Sequence, residues 1–215
     1  MLKSVRVPAA FEGPFARAEP FVEKSFEDIQ RRPEKGTLHV GEERYILVRA
    51  ESLYLAWMDA LVDAFGPETA AEFVYNTARE IGRSDCQGFA KKLQLTDPLD
   101  RLSSGPIHFA HAGWAFVDIL DDSAPAPDDS YFLHYYHPNT FESEVVKRKE
   151  RALDEPGCYF SAGYSAGWCS EAFGVDVHGR EVRCVGLGHE TCEFIMAPTH
   201  RLNEHEQRVR ASWSR

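Results

Sequence analysis

The sequence predicts an α+β fold in which an antiparallel sheet packs against several helices. Two observations support this prediction. Apolar residues recur at helical spacing in several segments, whereas other segments are short β-rich runs beside glycine-containing turns. With 43% hydrophobic residues in a chain of 215, there is enough apolar material to fill the core of one domain without disulfides.

The first half of the chain contains most of the helical pattern. Residues 1–25 are rich in Pro and Ala and show only a weak pattern, so we predict an N-terminal arm. A hairpin is predicted for residues 37–48, where two β-rich runs flank a glycine. Three helices with one apolar face each are then predicted, over residues 52–66, 67–82 and 84–95.

The second half contains most of the predicted strands. Gly105-Pro106 is predicted to break the chain, and residues 121–129 to form a solvated loop. The remaining predicted elements are strands at 114–120, 130–137, 182–185 and 192–197, helices at 142–153 and 159–174, and a charged C-terminal helix within 199–215.

The charge and the apolar runs narrow the possible partners. The net charge of −10 argues against direct nucleic-acid binding, because 24 basic residues are outnumbered by 34 acidic ones. No apolar run approaches the roughly 18 residues that a membrane span needs, and the N-terminus lacks a signal-peptide pattern. We therefore expect a cytoplasmic protein without membrane contact, in which the five cysteines stay reduced.

The stretch "EVRCVGLGHETCEF", residues 181–194, places two cysteines on either side of a glycine-rich turn. Two interpretations remain open: a pair of buried thiols that act as small apolar residues, or part of a metal site with about four ligands. The candidate ligands within this stretch are Glu181, Cys184, His189, Glu190 and Cys192. Outside it, Cys158 follows a Pro-Gly break, whereas Cys86 and Cys169 lie in helical patterns and are interpreted as packing residues.

Cys158, Glu181, Cys184 and Cys192, spaced by 23, 3 and 8, stand with "GYSAGW" at 163–168 and "GLGHETC" at 186–192. This combination resembles the vinyl-reductase-type zinc-binding domain in the effector-sensing module of sigma-54-dependent activators that respond to aromatic compounds. The resemblance covers residues 26–198, with the zinc-binding lobe at about 130–198. It implies that the four residues bind zinc, and a full set of protein ligands makes that zinc structural.

One physical objection concerns Glu181 and Cys184. Residues three apart in a regular strand point to opposite faces, so both can reach one ion only if the strand is bulged or strongly twisted. His189, on the turn three residues before Cys192, is the rival ligand by position. The resemblance implies Glu181.

Aromatic residues and histidines are dense between residues 108 and 168, which is typical of a filled core or of an apolar cavity with a few polar groups. The resemblance implies that the effector contacts fall on Phe109 and His137, where phenol-sensing members have a His and a Trp. His108 lies one residue from the first position, and Tyr135 corresponds to a pocket wall. The candidate ligand-binding residues are His108, Phe109, Trp114, Tyr135, His137, Tyr159 and Trp168.

The predicted function is a small-molecule sensor domain and not an enzyme, since no P-loop, helix-turn-helix or nucleophile elbow is found. The resemblance implies an aromatic or other hydrophobic effector and a homodimer. It also implies an ATPase domain in a longer chain, with residues 199–215 as the linker. The alternative is an accessory or enzymatic protein for a tetrapyrrole or other large hydrophobic substrate. Zinc-dependent hydrolysis requires a water in place of one ligand.

Overall fold

The computed structural model describes residues 2–213. Its helices and strands are bounded as follows: α1 Glu12–Glu27, α2 Ala50–Phe65, α3 Pro67–Leu93, α4 Pro98–His111, α5 Phe141–Arg148, α6 Tyr159–Phe173 and α7 Leu202–Ser212; β1 Val5–Arg6, β2 Ile29–Arg32, β3 Thr37–Val40, β4 Glu43–Tyr45, β5 Val117–Ile119, β6 Leu133–His137, β7 Val177–Arg183 and β8 Cys192–Pro198. The α+β class predicted from the sequence is confirmed.

The main sheet has the strand order β1-β5-β6-β8-β7. All neighbouring strands in it are antiparallel except β1 and β5, which run parallel. Side chains alternate between the two faces of a strand, so Leu133, Tyr135 and His137 of β6 share one face, with the helices, and His134 and Tyr136 share the other. We call these the inner face and the outer face of the sheet.

The predicted hairpin is confirmed and has a third strand. Strands β3 and β4 pair antiparallel around Gly41, which has a φ of 59°, and β2 pairs with the other edge of β3. A left-handed residue at this turn is accessible to glycine at little cost. Tyr45 at the end of β4 connects this small sheet to the body of the domain.

Residues 1–25 are not an arm outside the domain. They include β1, which extends the main sheet, and most of α1, which packs on α4. Phe15 and Val22 of α1 are fully buried and Val5 of β1 is 2% exposed. The sequence pattern is weak here because α1 places only a narrow apolar stripe, with Ala18 between two large residues, against its neighbour.

The two helices predicted over residues 67–82 and 84–95 are one helix, α3. Gly82 does not end it, because this glycine lies where α3 approaches α6 most closely. A Cβ at Gly82 would overlap the carbonyl of Tyr164, and one at Gly163 or Gly167 would overlap the carbonyls of Tyr75 or Arg79. The glycines therefore let two backbones pack in direct contact, and α3 with α6 forms the most extensive helix pair of the fold.

Gly105-Pro106 does not break the chain either, since both residues lie inside α4. The helix begins at an Asp97 cap, whose carboxylate accepts from the amides of Leu99 and Asp100 at 2.9 and 3.2 Å. Gly105 leaves space for the indole of Trp168 from α6. Tertiary packing thus offsets the backbone hydrogen bond that proline removes from a helix interior.

Other boundaries are shifted by a few residues, as helix and strand ends usually are. The strand predicted at 114–120 is the shorter β5, the helix predicted at 142–153 ends at Arg148, and β7 begins at Val177, five residues before its prediction. The C-terminal helix is confirmed as α7, which lies on the outer face of the sheet. No helix among residues 2–213 has the length and apolar content to cross a membrane.

Candidate functional site

A bulge in β7 brings Glu181 and Cys184 to the same place. Glu181 pairs with Phe194 of β8 and Arg183 pairs with the next residue, Glu193, so Val182 is an extra residue in the ladder. An extra residue shifts the alternation of side chains by one position. Glu181 therefore faces the same side as Cys184, and Val182 packs instead on the outer face. This is the distortion that the spacing of three required.

Cys158, Glu181, Cys184 and Cys192 form one cluster in which the four potential ligand atoms lie within 4.8 Å of one another. The Sγ of Cys158 is 3.9 Å from that of Cys184 and 3.8 Å from that of Cys192. A tetrahedral zinc with Zn–S bonds of about 2.3 Å separates its sulfur ligands by roughly 3.8 Å. The spacing of the sulfurs fits such an ion.

The backbone around the cluster orients the ligands. Glu181 Oε2 accepts from the amide of Cys158 at 2.9 Å, while the buried Oε1 has no hydrogen-bond partner. Thr140 Oγ1 lies 3.1 Å from the Sγ of Cys158, and the amide of Val185 donates to the Sγ of Cys192 at 3.4 Å. An oriented carboxylate with one unpartnered buried oxygen is what a metal ligand requires.

The protonation of the cluster depends on its positive partner. Burial raises the pKa of Cys158 and of the Glu181 carboxyl, whereas hydrogen bonds from Cys158 and then Cys192 lower the pKa of Cys184. Without a cation, the buried group thus concentrates its negative charge on one sulfur. A divalent ion stabilises all the thiolates together, and the amino end of α6, which begins after Cys158, adds favourable polarity.

The other candidates from the sequence lie outside this cluster. His189 is exposed, and its Nδ1 contacts the backbone oxygen and nitrogen of Cys184 at 3.0 and 3.2 Å, so it supports the turn. Cys86 and Cys169 are buried in the apolar core between α3 and α6. All five cysteines are free of disulfides.

An apolar cavity lies between α4, α6 and the inner face of the sheet. Its lining consists of Leu102, Gly105, Pro106, Phe109, Val117, Leu133, Tyr135, Tyr164, Ser165, Trp168 and Cys169. The cavity measures about 30 Å³, whereas a cavity of roughly 150 Å³ is known to accept benzene. A one-ring molecule therefore enters only if some of the lining side chains move.

His137 is the polar residue nearest to this lining. It is fully buried, with its ring 5.6 Å from that of Phe109 and 5.0 Å from that of Tyr135. Burial lowers its pKa to about 4, so the imidazole is neutral. Its Nδ1 lies 2.7 Å from the carbonyl oxygen of Phe116 and must donate, which leaves Nε2 as a buried acceptor without a partner.

His108, in contrast, has both ring nitrogens occupied. Tyr164 donates its hydroxyl proton to Asp85 at 2.8 Å, so Nδ1 of His108 donates to Tyr164 at 3.0 Å and Nε2 accepts from Tyr45 at 3.1 Å. This directed chain joins β4, α4, α6 and α3. His108 therefore ties the small sheet to the body of the domain.

The neutral state of His108 predicts an acid-dependent loss of stability. Burial, and then the charge of His111, lower its pKa to about 4, below the unfolded value of 6.5. The unfolded state therefore binds more protons, and stability that is complete above pH 6.5 is lost as the pH falls towards 4, by up to about 3 kcal/mol. In urea titrations, His108→Gln should be less stable than the parent at pH 7 and lose less stability on acidification. Equal losses in both proteins would contradict this assignment.

The remaining predicted contact residues are divided between two places. Tyr135 and Trp168 line the cavity, and Trp114 packs on Phe109 and Tyr164 at ring distances of 5.3 and 5.0 Å. Trp114 also lines an open groove of about 700 Å³. Tyr159 is not with them: it lines a separate groove beside the metal cluster, and its hydroxyl donates to Glu155.

Three further residues with roles at these sites were not among the predicted ones. Tyr164 joins His108 to Asp85, Thr140 contacts Cys158, and the buried Glu142 accepts from the amides of Phe160 and Ser161 at the start of α6. A sequence signal existed for Thr140, since the Thr-x-x-Ser spacing before an apolar run indicates a capping box, and the structure contains it. Tyr45 and Asp85 meet this site only through tertiary contacts.

Comparisons with known proteins agree with the geometry. Residues 26–122 match the family described as "Activator of aromatic catabolism", and residues 138–198 match the vinyl-reductase-type domain. The crystal structure of the phenol-responsive sensory domain of the transcription activator PoxR, with phenol, superposes with a TM-score of 0.74 at 22% identity. It covers 94% of this chain and 97% of that one, and so shows the same fold.

Two curated relatives are similar over most of this chain. The phenol regulator MopR of Acinetobacter guillouiae is 23% identical over 175 residues, 81% of this chain and 31% of the relative. The transcriptional regulatory protein XylR of Pseudomonas putida is 23% identical over 162 residues, 75% and 28% respectively. The chain thus spans less than a third of the length of these relatives. By its two family matches, the chain belongs to the sensory-domain family of the sigma-54-dependent activators of aromatic catabolism, with a vinyl-reductase-type domain as its C-terminal part.

Proposed function

We propose that this chain is the effector-sensing domain of a transcriptional regulator and has no catalytic role of its own. One observation carries the proposal: a neutral, fully buried His137 offers an unpartnered acceptor nitrogen within an aromatic wall. A buried polar group without a partner costs free energy, and a ligand that completes the hydrogen bond recovers it. The similarity to regulators named for phenol supports an aromatic effector.

The proposed effector has one or two apolar rings and a hydrogen-bond donor. The rings of Phe109, Tyr135 and Trp168 supply the apolar contacts, and His137 Nε2 accepts from the hydroxyl of the effector. Trp114 separates the small cavity from the open groove that it also lines, so its movement both enlarges the cavity and admits the ligand. A tetrapyrrole is far larger than the cavity, and no observation favours that alternative.

We also propose that zinc occupies the cluster of Cys158, Glu181, Cys184 and Cys192. When bound, the ion supplies a cross-link between the start of α6 and the hairpin of β7 and β8. Four protein ligands complete a tetrahedral shell and leave no position for a reactive water, so the site is structural. The thiols stay reduced in the cytoplasm, where we place the protein.

The effector proposal predicts a loss of affinity in the His137→Phe variant, which keeps a ring of similar size and removes the acceptor. Phenol binding measured by isothermal titration calorimetry should weaken by about tenfold, the effect of one lost hydrogen bond of about 1.4 kcal/mol. Benzene, which has no donor, should bind both proteins equally. His178→Gln, on β7 beside Tyr75, is the matched control and should bind phenol like the parent.

The outcomes separate two failures. Equal phenol affinity in His137→Phe and the parent would remove His137 from the site while leaving the sensor function intact. If the parent binds neither phenol nor any other one- or two-ring compound of a panel in thermal-shift assays, the proposed effector class is wrong.

A second copy of the chain is the proposed partner, and the ATPase domain of a longer chain is the proposed recipient of the signal. Large apolar side chains remain exposed on two adjoining helices, with Phe65 of α2 62% and Phe73 of α3 51% exposed. Leu47, just before α2, is 87% exposed. Contiguous apolar surface of this kind is typical of protein interfaces. Native mass spectrometry should therefore show a dimer, with one zinc in each chain.

A further inference from the structure

His134 lies on the outer face of β6, between two carboxylates. Its Nδ1 is 2.9 Å from Oδ1 of Asp122, in the loop after β5, and its Nε2 is 2.8 Å from Oε1 of Glu193 on β8. His134 is 6% exposed and Glu193 1%. Neither residue belongs to the cavity or the metal cluster described above.

The geometry fixes the protonation of this histidine. An ionised carboxylate can only accept hydrogen bonds, so both ring nitrogens of His134 must carry a proton, and the ring is an imidazolium. Burial disfavours that charge, but the hydrogen bonds to Asp122 and Glu193 outweigh it and raise the pKa of His134. The buried charge of Glu193 thereby has a cationic partner, as buried charges require.

The same two carboxylates contact the C-terminal helix α7 and the residue after it. Arg208 of α7 lies 3.9 Å from Oδ2 of Asp122, and Trp213 Nε1 donates to Oε1 of Glu193 at 3.5 Å. Arg183 of β7 stands over the indole of Trp213 at 4.0 Å. The polar contacts of α7 to the sheet therefore pass through groups that His134 positions.

Apolar contacts complete this interface. Leu202 and Val209 of α7 pack with Val182 and Ile195, and His205 stacks on Phe132 at 4.3 Å. The area is small for a helix that carries many charged residues. Such a helix is held by a few contacts, and losing one of them raises the population in which the whole helix is detached.

We propose that His134 is a positioning residue, a cationic clamp that orients Asp122 and Glu193 and so holds α7 on the outer face of the sheet. The strands that carry the clamp also carry Tyr135, His137 and Phe194 on the inner face. A shift of β6 against β8 changes the distance between His134 and Glu193, so α7 responds to events at the inner face. The clamp itself does not depend on the proposed effector; only this last coupling does.

The sign of the pH dependence follows from the raised pKa. The clamp is complete below the unfolded pKa of histidine and is lost as the pH rises through the folded value, because a neutral ring cannot donate to both carboxylates. The titratable and charged groups that face His134 from the surrounding elements are Asp122, Tyr136, Arg183, Glu193, His205 and Arg208. Arg183 and Arg208 stay cationic throughout, so they do not cause the change.

Hydrogen–deuterium exchange of residues 202–212 in the full chain tests the clamp, after correction for the intrinsic effect of pH. At pH 6.5 the His134→Gln variant, which can donate to only one carboxylate at a time, should exchange at least about tenfold faster in α7 than the parent. Exchange in α3 and α6 should stay unchanged. Above the raised pKa, the parent should approach the variant.

His200→Gln is the matched control, since His200 is exposed and lies just before α7. It should leave the exchange of α7 as in the parent. If the protection of α7 is the same in His134→Gln and the parent at pH 6.5, the clamp is wrong. Asp122→Asn tests the same interface from its exposed side, and no change in α7 in that variant also overturns the proposal. Phenol added to the parent tests the coupling alone.

Discussion

Cys184→Ser is expected to lose its metal and the fold of the C-terminal half together. Cys184 is fully buried, and it is one of three sulfurs that lie at the separations of a tetrahedral site. A structural zinc contributes about 10–16 kcal/mol of apparent binding free energy, more than a whole domain of this size retains as net stability. The variant should contain no zinc by elemental analysis and lose the cooperative thermal transition that the parent shows by circular dichroism.

Cys86→Ser is the matched control for that variant. Cys86 is also buried, at 1% exposure, but it lies in α3 away from the cluster. Its replacement should keep one zinc in each chain and cost about 1–3 kcal/mol for a buried hydroxyl. If Cys184→Ser folds like the parent, or if the parent itself contains no zinc, the structural role of the metal is wrong and the four residues are only a buried cluster.

Gly167→Ala is expected to destabilise the domain by about 3 kcal/mol, the upper range for overpacking. In an exposed helix the same substitution stabilises, by about 1 kcal/mol. The sign reverses here because the added Cβ would overlap the carbonyl oxygen of Arg79, which is backbone and cannot rotate away. Helix α6 can accept the methyl group only by moving away from α3, and the cavity wall that α6 carries moves with it. Urea-induced unfolding measures the change.

Gly88→Ala controls for helix propensity alone. Gly88 lies in α3, and a Cβ there would meet no atom within 4 Å. This variant should be more stable than the parent by about 0.5–1 kcal/mol. If both alanine variants change stability in the same direction, close packing of α3 on α6 through glycine is not what decides the effect.

Much of the fold could be predicted from local patterns. The aromatic strand β6, the helix α6 that ends at Gly174, and the cysteine hairpin were all found where the periodicity and the turn residues indicated. The failures share one cause. Gly82 and Gly105-Pro106 were interpreted as helix breaks from their intrinsic propensities, whereas the approach of Tyr164 and of Trp168 outweighed those propensities. Residues 1–25 lacked a broad apolar stripe but still supplied a buried strand and helix.

The candidate site was divided in the same way. The spacing of Cys158, Cys184 and Cys192 indicated a metal site, and the family resemblance implied Glu181. Spacing alone could not choose Glu181 over His189, because the choice depends on the extra residue Val182 in the ladder of β7. His108 and His137 were equivalent by sequence. Only the structure distinguishes them, since Tyr45 and Tyr164 occupy one ring and Nε2 of the other has no partner.

The sequence by itself determined the class of fold, the order of most elements and the residue types that could form the metal cluster, because these depend on periodicity and spacing within short segments. The tertiary structure decided which helices are continuous, which carboxylate faces the sulfurs and which histidine is free to accept a hydrogen bond. Those outcomes depend on contacts between residues far apart in the chain. Such contacts add several kcal/mol where local propensities differ by about 1 kcal/mol or less.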